Sequence, residues 1–234
     1  MRKINVFKII FFTSFIVCIV LSIVLNKKDL IYIVPLVLFT LAIFYISEAR
    51  KKSNPLYLVS LGFVTCTNVL SFLDYDKYLN YITISASVYI TGFTLILKKY
   101  LNKGQFKKFL SLPVFITSTF IVYLFYTIMN NLTNYISNTK LLFTTLCTVS
   151  LIVHLVTIAV IYLSDKYKNG ITLLTSGILL LVQLSVSIMN QYLYFNKTFT
   201  VLITLTHFTS LYLYTRFILK PIEFNLNDSD SDTI

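Results

Sequence analysis

The sequence predicts an all-α, polytopic integral membrane protein with eight transmembrane helices in one bundle. Three observations predict it. Apolar stretches at 9–26, 30–47, 54–73, 78–97, 109–139, 141–164, 170–196 and 198–215 occupy nearly the whole chain. Hydrophobic residues make up 56% and charged residues 12%, with a mean hydropathy of +0.78, whereas a soluble domain carries about 25% charge. The polar residues between the stretches form connections too short to hold an independent domain. About 20 apolar residues in a helix cross the hydrocarbon, and a helix satisfies its own backbone there.

The elements follow in order. The first stretch comes after Met1-Arg2-Lys3 and resembles a signal peptide. It is too long for one, and Ser22 to Asn26 make a poor cleavage site, so it reads as a retained first helix. Pro35 lies several residues into span two, where it either kinks that helix or begins it. Pro55 and Pro113 fall near helix starts, where a missing N–H costs little. Gly62, Gly92 and Gly177 stand alone and read as close-packing positions. Short connections make successive spans antiparallel. The domain division is therefore 1–221, the eight-helix transmembrane domain, and 222–234, an acidic, disordered cytoplasmic tail.

Charge gives the orientation. With eight spans, fifteen of the 20 Lys and Arg residues fall on the side of the termini and five on the other: Lys27, Lys28, Lys77, Lys140 and Lys197. The positive-inside rule places both termini in the cytoplasm. The net charge of +11 is thus a topological signal. No basic, aromatic-interleaved soluble surface exists to bind nucleic acid. Abundant Ile, Asn, Lys, Tyr and Phe suggest an AT-rich bacterial genome, and so the bacterial cytoplasmic membrane. Tyr32, Tyr57, Tyr78, Tyr81, Tyr100 and Tyr192 near span ends read as interfacial anchors. Asn131-Leu132-Thr133 and Asn196-Lys197-Thr198 have the form of glycosylation sequons, read as accidental.

Chemistry is harder to see. All nine acidic residues lie at span ends, in loops or in the tail. Buried carboxylates mark proton relays and ion paths, so their absence from mid-span argues against such a pump. It argues equally against paired-carboxylate hydrolysis. Cys18, Cys66 and Cys147 fall inside spans without a metal-binding spacing and read as small buried packing residues. With two histidines and no nearby carboxylate, no metal site or cofactor is expected.

The spans do carry neutral polar residues at helical spacing. Thr65, Asn68 and Ser71 share a face of span three; Thr83, Ser87, Thr91 and Thr94 of span four; Ser150, His154 and Thr157 of span six. Ser176, Gln183, Ser187 and Asn190 do so in span seven, and Thr200, Thr204 and His207 in span eight. Such faces turn inward, either to hydrogen-bond another helix or to line a wet cavity. The second alternative gives a pocket shared by Asn68, His154, Gln183 and His207.

Tyr32-Ile33-Val34-Pro35-Leu36, then Tyr45-Ile46-Ser47, the basic turn Arg50-Lys51-Lys52 and the span 56–73 resemble the YhhN-like membrane proteins. Ser176-Gly177 up to Asn190, and Thr206-His207-Phe208 through Tyr212, resemble that family's last two helices. The family has eight helices and includes the lysoplasmalogenases. The resemblance implies a lipid ligand and adds Tyr89 to the candidate cavity-lining set, which with Asn190 of the span-seven face is Asn68, Tyr89, His154, Gln183, Asn190 and His207. The chain also departs from the family. The family's Gly-Asp falls on Thr67-Asn68, its span-four histidine on Tyr89, and its Ser-Asp on Gln183-Leu184. Its Tyr-Tyr-x-x-Gln becomes a segment from Thr206 to Leu211 with no identical polar residue. An amide cannot exchange a proton as a carboxyl does. The chain reads as a divergent member without the family's intramembrane acids, and no catalytic residue can be named. Three functions stay open: a non-catalytic lipid-binding relative, an ether-lipid or lysophospholipid hydrolase using His154 or His207, and a small transporter or sensor core. The expected partners are the bilayer and a lipid; the sequence sets no oligomeric state.

Overall fold

The polar punctuation between apolar stretches sets the helix boundaries. In a computed structural model of the chain, Asn5 caps α1 (Val6–Val24), its side chain accepting from the Phe7 amide. Asn54 caps α3 (Pro55–Leu73) in the same way, with Pro55 in the first turn. Asn196 caps the last helix by accepting from the Thr198 amide. Each cap satisfies one of the free N–H groups of a first turn. The second sequon-like triplet is therefore a helix start. The structure describes residues 5–101, 135–164, 166–192 and 195–222, with 119, 122, 123, 125–127, 130, 132 and 133.

Among those residues the chain is helical throughout and contains no strand. A 3-10 turn at Lys27–Ile31 leads into α2 (Ile33–Ala49). Pro35 thus sits in the first turn of α2 and begins the helix. The remaining helices are α4 (Leu79–Leu97), α5 (Asn138–Leu163), α6 (Gly170–Tyr192) and α7 (Lys197–Leu219). Six helices have the length and apolarity to cross a membrane: α1, α2, α3, α4, α5 and α6. Against the expectation of eight, α7 is long enough but is not among the six. Thr198, Thr200, Thr204, Thr206, His207, Thr209 and Ser210 lower its hydropathy. Most of the stretch 109–139, with Pro113, lies outside the described residues, as do Asp165 and the tail from 223.

The polarity of α7 has a packing reason. Each helix packs on the next along the chain, and α7 packs on both α6 and α1, which closes the ring. It also touches α2. Two hydrogen bonds reach further: the Tyr214 hydroxyl donates to the Phe93 carbonyl of α4 at 2.7 Å, and Thr215 pairs with the Tyr57 hydroxyl of α3. A helix with neighbours on so many sides needs less apolar surface than one facing lipid. Conversely, α1 is the most apolar of the six and exposes Ile9, Ile16, Val20 and Ile23.

Aromatic side chains fill the half of the bundle near the termini. Phe11 stacks on Phe15, Phe44 and Tyr212, while Tyr57 stacks on Phe93 and Tyr214. Tyr57 and Tyr100 are therefore buried core residues and not interfacial anchors; the Tyr100 hydroxyl donates to the Ile218 carbonyl. Tyr32 and Tyr81 are exposed, as anchors would be. Gly92 and Gly177 are close-packing positions. A Cβ on Gly92 would collide with the Ser60 hydroxyl, and one on Gly177 would come within 2.9 Å of Ile158 Cδ1. Gly62 meets nothing and has no such role. Among the cysteines only Cys18 is buried, while Cys66 is exposed and Cys147 intermediate.

Candidate functional site: a cavity away from the termini

A serine or threonine in a helix can donate to the carbonyl one turn back, and most of the polar faces here do so. Thr65 donates to Leu61, Thr83 to Leu79, Ser87 to Thr83, Ser150 to Leu146, Thr157 to Val153 and Thr204 to Thr200. Their hydroxyls need no second helix. The amides and imidazoles have no such outlet, and they are what joins the helices.

His207 of α7 is the centre of that network. Its Nε2 lies 3.0 Å from Asn68 Nδ2 of α3, and its Nδ1 lies 3.1 Å from Gln183 Oε1 of α6. With the two amides so oriented, Nδ1–H donates to Gln183 and Nε2 accepts from Asn68. The ring is a neutral imidazole with both nitrogens in use. His154 of α5 makes a different junction. The Thr94 hydroxyl gives its proton to the Ile90 carbonyl, so it accepts from His154 Nδ1–H at 2.9 Å. The His154 ring lies 6.1 Å from that of Tyr214.

A partly open cavity of about 140 Å³ adjoins the His207 network. Its walls are the later halves of α3 and α6 and the earlier halves of α4, α5 and α7, so it occupies the end of the bundle away from the termini. Of the six candidate residues, Asn68, Tyr89, Gln183, Asn190 and His207 line it. His154 does not; it lies one turn beyond Leu151, which does, and turns toward Thr94 instead. Asn190 fixes the corner between α6 and α7 by accepting from the Asn196 amide and donating to Thr200. Apolar walls come from Val64, Phe72, Ala86 and Leu151.

Sequence reasoning missed Lys27. It counts there only as one of five lysines that set orientation. In the structure it is the single charged side chain among the described lining residues. Its ammonium donates to Gln191 Oε1 at 2.9 Å and sits 5.5 Å from the Tyr75 ring centre, a cation–π distance. Burial, then the nearby Tyr192 and Cys147, push the Tyr75 phenol well above its ordinary range. Lys27 precedes the first turn of α2 while Gln191 closes α6, a juxtaposition that no local pattern encodes.

The cavity therefore offers an apolar interior, a rim of neutral hydrogen-bonding groups and one cation. No aspartate or glutamate is among its described lining residues. No described group of three or more His, Cys, Asp or Glu could hold a metal ion. The architecture defines the class: among the described residues, an all-helical protein with six helices fit to cross a membrane. No family model, curated protein or solved structure matches the chain.

Proposed function

We propose that this chain is a YhhN-like multi-pass protein of the bacterial cytoplasmic membrane that holds part of a single-chain amphiphile without hydrolysing it. In this reading all eight apolar stretches span the bilayer and both termini are cytoplasmic, so the cavity lies in the outer half. The observation that carries the reading is the chemistry of the lining. Apolar walls take a hydrocarbon segment, Lys27 and the amides take a polar group, and the described lining residues include no carboxylate to protonate or activate anything. A volume near 140 Å³ is close to the ~150 Å³ of a cavity that accepts benzene. It suits one chain segment, not a diacyl lipid.

The hydrolase reading rests on His207, because His154 does not reach the cavity. A general base needs a free nitrogen within hydrogen-bond reach of the proton it takes, and both nitrogens of His207 are engaged. The purified chain, given a vinyl-ether lysophospholipid, is expected to retain the lipid intact and release no aldehyde above the level of a protein-free control. Aldehyde release abolished by His207→Gln would make the chain a hydrolase and overturn the proposal.

Orientation has its own test. Lys28 and Lys51 are both exposed and lie at opposite ends of the bundle. In a cysteine-free background, a membrane-impermeant maleimide added to whole cells is expected to modify Lys28→Cys and spare Lys51→Cys. The reverse pattern would put the cavity in the cytoplasmic half.

A further inference from the structure

A second, larger cavity of about 890 Å³ lies at the opposite end of the bundle, between the start of α1, the end of α2, the start of α6 and the end of α7. Nothing in the proposed function uses it. Its polar end holds three cations, Lys8, Arg216 and Lys220, and one carboxylate, Glu48. Glu48 is already engaged. Its Oε1 accepts from Asn5 Nδ2 at 2.7 Å, and its Oε2 lies 3.5 Å from the Lys220 ammonium. Lys8 is near enough to act on the Glu48 carboxylate electrostatically, but among the described residues neither Lys8 nor Arg216 forms a direct ion pair. The Lys8 ammonium lies over the Phe12 ring at 5.9 Å from its centre. Away from this charged end, the cavity continues along Ile9, Phe12 and Ile16 of α1. These belong to the most apolar of the six helices fit to cross a membrane, and Ile9 and Ile16 are 51% and 59% exposed.

A guanidinium and an ammonium lining the same end of one groove suit a phosphate, since the planar fork of arginine matches two of its oxygens. Free phosphate would fill only the polar end. The apolar continuation, on a helix fit to cross a membrane, asks for hydrocarbon attached to the anion. We infer that this groove binds an anionic phospholipid, its phosphate held by Lys8 and Arg216 and an acyl chain lying along Ile9, Phe12 and Ile16. The chain's own acidic stretch is the competing occupant, because it follows Ile222, which lines the groove. Phe224 and Leu226 stand between Ile222 and that stretch, 228–232, but the α1 wall belongs to a helix apolar enough to cross a membrane, where the hydrocarbon at hand is that of lipid. The lipid satisfies both parts of the groove.

The full chain is placed in phosphatidylcholine nanodiscs doped with phosphatidylglycerol, and retained lipids are counted by native mass spectrometry. One phosphatidylglycerol is expected to be retained in preference to phosphatidylcholine. Lys8→Gln and Arg216→Gln should each lower that preference about fivefold, the factor for one basic residue at an anionic surface. Arg216→Lys, which keeps the charge but loses the fork, should fall between the unaltered chain and Arg216→Gln, which separates loss of charge from loss of fold. A chain ending at Ile222 should retain the lipid at least as well. Equal retention of both lipids, or an unchanged preference in the double Lys8→Gln, Arg216→Gln variant, would overturn the inference. Retention only in the shortened chain would identify the acidic stretch as the occupant. Complete displacement by inorganic phosphate would reduce the site to an anion site. Both of the last two outcomes overturn the lipid assignment, and none of these outcomes bears on the cavity at the other end.

Discussion

His207→Ala is expected to be the most damaging single change in the polar core, lowering stability by about 2 kcal/mol in detergent. Removing the ring strands two groups at once, Asn68 Nδ2 and Gln183 Oε1. Leaving a buried donor or acceptor unpaired costs about 1–3 kcal/mol. The adjoining cavity lets water reach part of the vacated space, which keeps the total toward the low end for two groups. His154→Ala is the internal control. It frees only the Thr94 hydroxyl, which keeps its own bond to Ile90. Its cost should be about 1 kcal/mol or less, near the average for interhelical hydrogen bonds in membranes. Chemical unfolding of both variants in the same micelle checks the ordering. Equal losses would mean that His207 does not join the three helices.

The second large effect is on binding. Ala86 lies on α4, is 3% exposed and lines the cavity. Ala86→Phe places a ring of benzene's size in a space of about 140 Å³, which such a ring can fill. A chain segment of roughly four methylenes would then lose its burial, at about 0.8 kcal/mol each. Affinity for a single-chain amphiphile should fall by roughly two orders of magnitude, with little change in the unfolding midpoint. Titration of a fluorescent lysolipid into both forms measures it. Unaltered affinity would mean that the ligand binds elsewhere on the bundle.

The helices were largely legible in the sequence because polar residues mark their ends. The stretch 54–73 became α3 between the Asn54 cap and Asp74, and 78–97 became α4 to within a residue. Apolarity alone was a poorer guide for α7, whose place among α1, α2 and α6 lets it carry threonines and a histidine. Helical periodicity put Asn68, Gln183 and His207 on inward faces, and the three meet at His207. It could not say which inward neighbour each would meet. His154 sits on an equally polar face of α5 and meets Thr94, away from the cavity. The serines and threonines that gave those faces their pattern mostly bond their own helix, so the pattern overstated the polar contact between helices. The Lys27 contact with Gln191 joins residues 164 positions apart, and only the closed ring of helices brings them together.

The most direct measurement is a photocrosslinking map with a single-chain amphiphile that carries a diazirine near the end of its chain. An amphiphile held in the cavity predicts adducts on Val64, Phe72, Ala86 or Leu151, with loss of labelling in Ala86→Phe. Adducts confined to residues exposed on the outside of the bundle, such as Val20, Ile23 and Val153, and unchanged by Ala86→Phe, would contradict it.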